Sequence, residues 1–185
     1  LYTASRIFET ANLRIYDVKE LATHGGSLRL YGCHLDDPRE TKESVEVILK
    51  EEKKNGLQHL KTYIDFQPRV EKIKEDLLAF LIEKNREGKK VAAYGAAAKG
   101  NTLLNFAGVK PNLLPFVCDA AVAKQGLFMP GSHIPIYDPE RIREEQPDFV
   151  LILPWNISEE VQHQYEHLRE KGVQFVTVVP ELKID

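Results

Sequence analysis

The sequence predicts an α/β fold: a Rossmann-like parallel sheet with flanking helices, preceded by a helical connector and a β-hairpin. Three observations carry this. Short apolar runs and helical stretches alternate from Lys90 to Ile184, the pattern of a parallel sheet covered by helices. The stretch from Asp36 to Lys90 is rich in Glu and Lys at helical spacing. Two alternating runs flank Thr23-His24-Gly25-Gly26 near the start, which reads as a hairpin. The expected divisions are residues 1–35, 36–89 and 90–185.

In the first division, Ile7, Phe8 and Ala11 recur at helical spacing, so a helix is expected over Thr3 to Ala11. Leu13 to Val18 alternates as a strand, and Ser27 to Cys33 is the second, with Leu28, Leu30 and Gly32 on one face. The chain begins at Leu1 within a helical pattern, and we read it as part of a longer protein.

The middle division carries a helix over Thr41 to Asn55, with Val45, Val47, Ile48 and Leu49 apolar and Gly56 as its stop. A second helix starts near Leu57, and Pro68 kinks it or opens a new one. Val70, Ile73, Leu77 and Leu81 form a 3.6-period stripe ending near Gly88. On pattern, these helices form a solvated spacer and brace.

In the last division, Val91 to Tyr94 is a buried strand and Lys99 to Ala107 a helix. Leu114 to Cys118 is a strand ending in Asp119, and Ile134 to Ile136 is a short extended piece. Asp138-Pro139 opens a helix to Glu145, with Asp as cap and Pro at the first helical position. Phe149 to Leu153 is a strong buried strand, Ser158 opens a helix that stops at Gly172, and Val173 to Val179 is the final strand.

Composition narrows the function classes. The 185 residues are 43% hydrophobic and 29% charged with net charge −3, a globular balance without the overall cationic surface of a nucleic-acid binder. No run of about 18 apolar residues exists to span a membrane. Cys33 and Cys118 are too few for a disulfide scaffold and wrongly spaced for zinc. No signal peptide is visible, so a reducing cytoplasm is the expected compartment.

The most informative segment is Gly95 to Thr102, which follows the first parallel strand and opens a helix. Small residues there let a ligand approach the backbone, and the helix start offers N–H groups to an anion. The dinucleotide pattern G-x-G-x-x-G fails because residue 97 is Ala97. The P-loop pattern fails because the lysine sits at Lys99 and Asn101 replaces Ser or Thr. Two readings stand: a phosphate or nucleotide site over Gly95, Ala96, Lys99, Gly100, Asn101 and Thr102, or a tight turn whose small residues serve packing.

Asp119, 24 residues after Gly95, sits where an acid meets a ribose hydroxyl in dinucleotide folds, or it caps the next turn. Lys124 is a phosphate contact or a solvated lysine. Trp155-Asn156 follows a parallel strand, where ligands bind in open α/β sheets; Trp155 stacks on a base or sugar, or anchors the loop. His24 is an acid or base, or a turn residue bonded locally. His163 and His167 have zinc-protease spacing, but Gln164 stands where the general base belongs, so no metal is expected. No catalytic residue is assigned; His24 is the sole candidate.

Taken together, Thr23 to Arg29, Gly95 to Asn105, Lys124 to Gly126, Pro130-Gly131 with Ile134 to Ile136, and Asp148 to Asn156 resemble one family over nearly the whole chain. They are similar to the C-terminal part of the S-adenosylmethionine-dependent sugar C-methyltransferases. The resemblance implies a Rossmann-like domain associated with a nucleotide-linked deoxysugar. It makes residues 1–35 the end of a methyltransferase domain and places the S-adenosylmethionine site, zinc cluster and Tyr/Glu/His segment before Leu1. The implied chemistry is deprotonation beside a sugar carbonyl, then attack of the carbanion on the donor methyl.

On this reading the segment supplies positioning, binds no S-adenosylmethionine and is inactive without the missing N-terminal half. The helices of the middle division offer a homodimer surface. Two other readings are a dinucleotide-binding domain of an oxidoreductase and a ligand-free structural domain.

Overall fold

The computed structural model describes residues 1–185. They divide into two compact units, Leu1–Gln67 and Pro68–Asp185. The division falls inside the stretch expected as one connector, so its helices go to different units.

The first unit holds α1 (Tyr2–Thr10), β1 (Leu13–Leu21), β2 (Ser27–His34), α2 (Glu43–Lys54) and α3 (Leu60–Ile64). β1 and β2 pair antiparallel from Leu13–His34 to Leu21–Ser27, with a register shift between Ile15 and Asp17. Residues 15 and 18 would face opposite sides of a regular strand. The bulge turns both inward, where Ile15 and Val18 meet Val45 and Ile48 of α2. Gly32 is the residue that lets α1 approach: a Cβ there would lie 2.4 Å from Phe8 Cε1.

The second unit holds α4 (Gln67–Arg86), β3 (Val91–Tyr94), α5 (Ala98–Ala107), β4 (Val117–Cys118), β5 (Ile136–Tyr137) and α6 (Glu140–Glu145). β6 (Phe149–Ile152), α7 (Ser158–Gln164), α8 (Glu166–Arg169), β7 (Gln174–Thr177) and β8 (Lys183–Ile184) complete it. The sheet order is β5-β4-β3-β6-β7-β8. The first five strands run parallel and β8 pairs antiparallel with β7.

Strand alternation sorts the core into two faces. Ala93, Val117, Leu151 and Val176 pack with α4 and α5. Tyr94, Cys118, Val150 and Phe175 pack with α6, α7 and α8. The unit is thus a sheet with helices on both sides, as predicted.

Several elements differ from the sequence reading. Leu77 and Leu81 of α4 are fully buried and belong to the sheet core, so α4 is no solvated brace. β4 is only two residues long, because Pro115 has no N–H to extend the ladder. The last long helix breaks at Tyr165 (φ −111°, ψ 22°), whose buried ring packs edge-on against Tyr94 at 5.1 Å. β8 adds an antiparallel edge that the sequence does not announce, since Lys183-Ile184 carries no apolar run.

Asp138 caps α6 as read, its Oδ1 accepting the Glu140 N–H at 2.8 Å. Cys118 is fully buried, and burial pushes its thiol up to about 12. Its thiolate is therefore scarce at pH 8. A disulfide exchange reagent should leave Cys118 unmodified in the native protein and modify it once urea unfolds the chain. Rapid native modification of that residue would contradict this packing.

Candidate functional site

The chain leaves β3 toward β4 and β5 on one side, then returns through β6 and β7 on the other. The strand order therefore reverses between β3 and β6, and the carboxyl ends of strands at such a point are where ligands bind in open α/β sheets. The loops at this switch point are Gly95–Ala97 and Leu153–Trp155.

Two glycines set how tightly these loops meet. Gly95 has φ +92°, and a Cβ there would lie 2.4 Å from Pro154 Cδ. Gly100 sits in the first turn of α5, and its Cβ would lie 2.6 Å from Leu153 Cβ. Together they bring the start of α5 down onto the loop after β6. The residue before α5 is Ala97, which makes no side-chain cap. The first N–H groups of α5 thus stand at the switch point without the Ser, Thr or Asp acceptor that usually meets them.

Lys99 Nζ lies 5.8 Å from the centre of the Trp155 ring, a cation–π contact across the switch point. Lys124 Nζ donates to Asp119 Oδ2 at 3.0 Å and to the Ala96 carbonyl at 3.0 Å. Asp119 Oδ1 accepts the Ala121 N–H at 2.8 Å. The Asp119 carboxylate is therefore both a turn cap and an anchor for Lys124. An ammonium has three donors, so the third N–H of Lys124 is left for its surroundings. Lys124 and Asn101 line a cleft of about 390 Å³ with Ala96, Leu127, Phe128 and Pro130. Asn101 Oδ1 is buried and unpaired.

The structure thus brings Gly95, Ala96, Lys99, Gly100, Asn101, Asp119, Lys124 and Trp155 to one end of the sheet. Thr102 is turned to helix geometry, its hydroxyl donating to the Ala98 carbonyl at 3.1 Å. Asn156 is exposed in the turn Trp155–Ile157. His24 belongs to the first unit, exposed in the hairpin turn with φ 58°. Sequence reasoning missed Leu127 and Phe128, which are 56% and 60% exposed. The signal was an apolar Leu127-Phe128-Met129 run in a loop, directly after Lys124-Gln125-Gly126.

A second cleft, of about 360 Å³, lies at the opposite end of the sheet beside Lys90, Phe116 and Arg141. Its cations are already paired: Arg141 with Glu145 at 2.7 Å and Lys89 with Asp148 at 2.8 Å. It lies at the amino ends of the strands, away from the loops where ligands bind in open α/β sheets, and we do not place the site there.

The family model for the C-methyltransferase C-terminal domain matches residues 22–180. The chain belongs to this family. The match runs from the hairpin turn through the switch-point loops to beyond the last parallel strand, so it takes in part of the first unit and nearly all of the second. C-methyltransferase NovU from Streptomyces niveus is 33% identical over 178 residues, 96% of this chain and 42% of that protein. The chain thus spans under half the length of that curated C-methyltransferase. A crystal structure of UDP-D-quinovosamine 4-dehydrogenase from Vibrio fischeri is 23% identical, with TM-score 0.40, covering 52% of this chain and 93% of that one. No helix of this C-methyltransferase domain is long and apolar enough to cross a membrane.

Proposed function

We propose that this chain is the substrate-holding part of a sugar C-methyltransferase and that it takes a nucleotide-linked deoxysugar at the β3/β6 switch point. The observation that carries the reading is the convergence there of an uncapped α5 start, the Lys99–Trp155 pair and the cleft beside Lys124. A diphosphate is a dianion or more, and a helix start with a nearby lysine is the arrangement that receives one.

Methyl transfer from S-adenosylmethionine to carbon requires the sugar carbon to be held in line with the donor methyl. Positioning of this kind contributes several kcal/mol to such a reaction. On this proposal the donor is not held at this switch point: its ribose would call for a carboxylate at the end of β4, and Asp119 already accepts from Lys124 and the Ala121 N–H, which weighs against that role. The same engagement weighs against an oxidoreductase dinucleotide site. Donor binding and proton abstraction belong, on this proposal, to parts of the parent protein beyond these residues, and the chain alone methylates nothing.

Calorimetric titration of the chain with dTDP, dTDP-glucose, S-adenosylmethionine and NADH tests this. Binding is expected for the two dTDP ligands only. Lys99→Ala should weaken both by about tenfold, the loss of one charge-assisted hydrogen bond. Unchanged affinity in that variant would remove the phosphate assignment. Binding of NADH alone would favour the oxidoreductase reading.

A further inference from the structure

Two clefts of opposite character flank the switch point. The one on the β4/β5 side is walled by apolar groups: Leu127, Phe128, Met129 and Ile136, with Asn101 and Lys124 as its polar members. The one on the β6/β7 side, of about 680 Å³, has the Trp155 indole and a polar ring that includes Ser158, Glu159, Gln162 and Thr177. Trp155, which lines the second cleft, carries Lys99 over its ring. Lys99 is in the first turn of α5, whose neighbours Ala98 and Asn101 line the first cleft.

We infer that the nucleotide-sugar lies across the sheet in one orientation, its base on the Phe128 side and its sugar on the Trp155 side, with the diphosphate between them at Lys99. This rests on the nucleotide-sugar reading above and adds the direction of the ligand. The chemistry of each cleft gives the direction. A base is a flat apolar ring with a few polar atoms at its edge, so it takes apolar walls, an exposed aromatic shelf and one or two polar partners. Phe128 supplies the shelf, and the third N–H of Lys124 supplies a donor for a base carbonyl. A sugar is ringed by hydroxyl groups and offers one apolar C–H face. It takes one aromatic plate surrounded by many donors and acceptors, as Trp155 is.

Size agrees with this. β5 and β7 are separated by four strand spacings in the sheet, about 19 Å at ~4.8 Å each. That span accommodates a base, ribose, diphosphate and hexose laid end to end. The opposite orientation would set the sugar's hydroxyls against Leu127, Phe128 and Met129 and leave them without partners.

The test is an affinity split measured by calorimetry with dTDP and dTDP-glucose. Phe128→Ala should weaken both ligands by about tenfold, the loss of one base-stacking contact. Trp155→Ala should weaken dTDP-glucose about tenfold more than dTDP, whose smaller loss reflects only the contact with Lys99. Phe128 and Glu159 are exposed, so Phe128→Ala and Glu159→Ala put the fold at little risk. Glu159→Ala should reproduce the selectivity of Trp155→Ala in weaker form. The orientation is overturned if Phe128→Ala spares dTDP, or if Trp155→Ala weakens dTDP as much as dTDP-glucose. Binding of neither ligand to the unmodified chain overturns the nucleotide-sugar reading, and the orientation with it.

Discussion

A fragment comprising residues 90–185 should fail to unfold cooperatively, whereas residues 68–185 should give a single sigmoidal urea transition. The shorter fragment contains every strand of the six-stranded sheet and lacks only α4. That helix contributes Leu77, Phe80 and Leu81, exposed to 0%, 6% and 0%, to the core on one sheet face. Truncating a buried Leu to Ala costs about 2–5 kcal/mol, and Phe to Ala about 3–5. Removing all three side chains therefore approaches the whole ~5–15 kcal/mol stability of a domain. Deleting the helix also strips cover from Val91, Phe149 and Leu151, which would then face water. Phe149 loses a direct partner as well, since the Phe80 ring packs edge-on against it at 5.4 Å. Circular dichroism and the emission of the single tryptophan, Trp155, report the transition. A cooperative transition in 90–185 would show that α5 and the sheet hold together without α4.

This boundary shows where the sequence could be read and where it could not. The strands β3, β6 and β7 were legible because each is a run of apolar residues bounded by turn signals. The stripe Val70, Ile73, Leu77 and Leu81 was equally legible as a helix. Its periodicity gave the helix a face but not a partner. Glu and Lys dominate the other faces of α4, so the stretch looked like the charged helix α2 before it. Nothing local distinguishes an apolar stripe that packs on a hairpin from one that closes a sheet.

The bulge near Tyr16 was hidden for a related reason. Ile15 and Val18 are at odds with strict alternation, and only the pairing with β2 shows that an extra residue absorbs the mismatch. At the site, Gly95, Lys99 and Trp155 were readable one by one from their places at strand ends. Their meeting was not, because it depends on the order in which the strands lie. Asp119 was placed correctly at the end of β4, but its partner Lys124 reaches it through the fold of a loop. That pairing could not be read from the spacing of Asp119 and Lys124 alone.

The closeness of the two loops at the switch point makes a second prediction with a large effect. Gly95→Ala should destabilise the protein by about 3 kcal/mol, combining about 1–2 kcal/mol for a side chain in the left-handed region with about 1–3 for overpacking. The strain comes from φ +92°, and the overpacking from a Cβ placed 2.4 Å from Pro154 Cδ. Gly172→Ala separates the two contributions. Gly172 has a comparable φ of +86°, yet nothing lies within 4 Å of its Cβ position. It should therefore show the backbone part alone, about 1–2 kcal/mol.

At about 2–4 °C per kcal/mol for a chain of this size, Gly95→Ala should lower Tm by roughly 10 °C and Gly172→Ala by roughly 4 °C. Relief of the contact in Gly95→Ala must move either the loop after β3 or the loop after β6. Both carry site residues, so this variant should also weaken dTDP-glucose binding, while Gly172→Ala should not. Equal Tm losses in the two variants would mean that Pro154 yields freely. The Gly95–Pro154 contact would then not be what fixes Lys99 over Trp155.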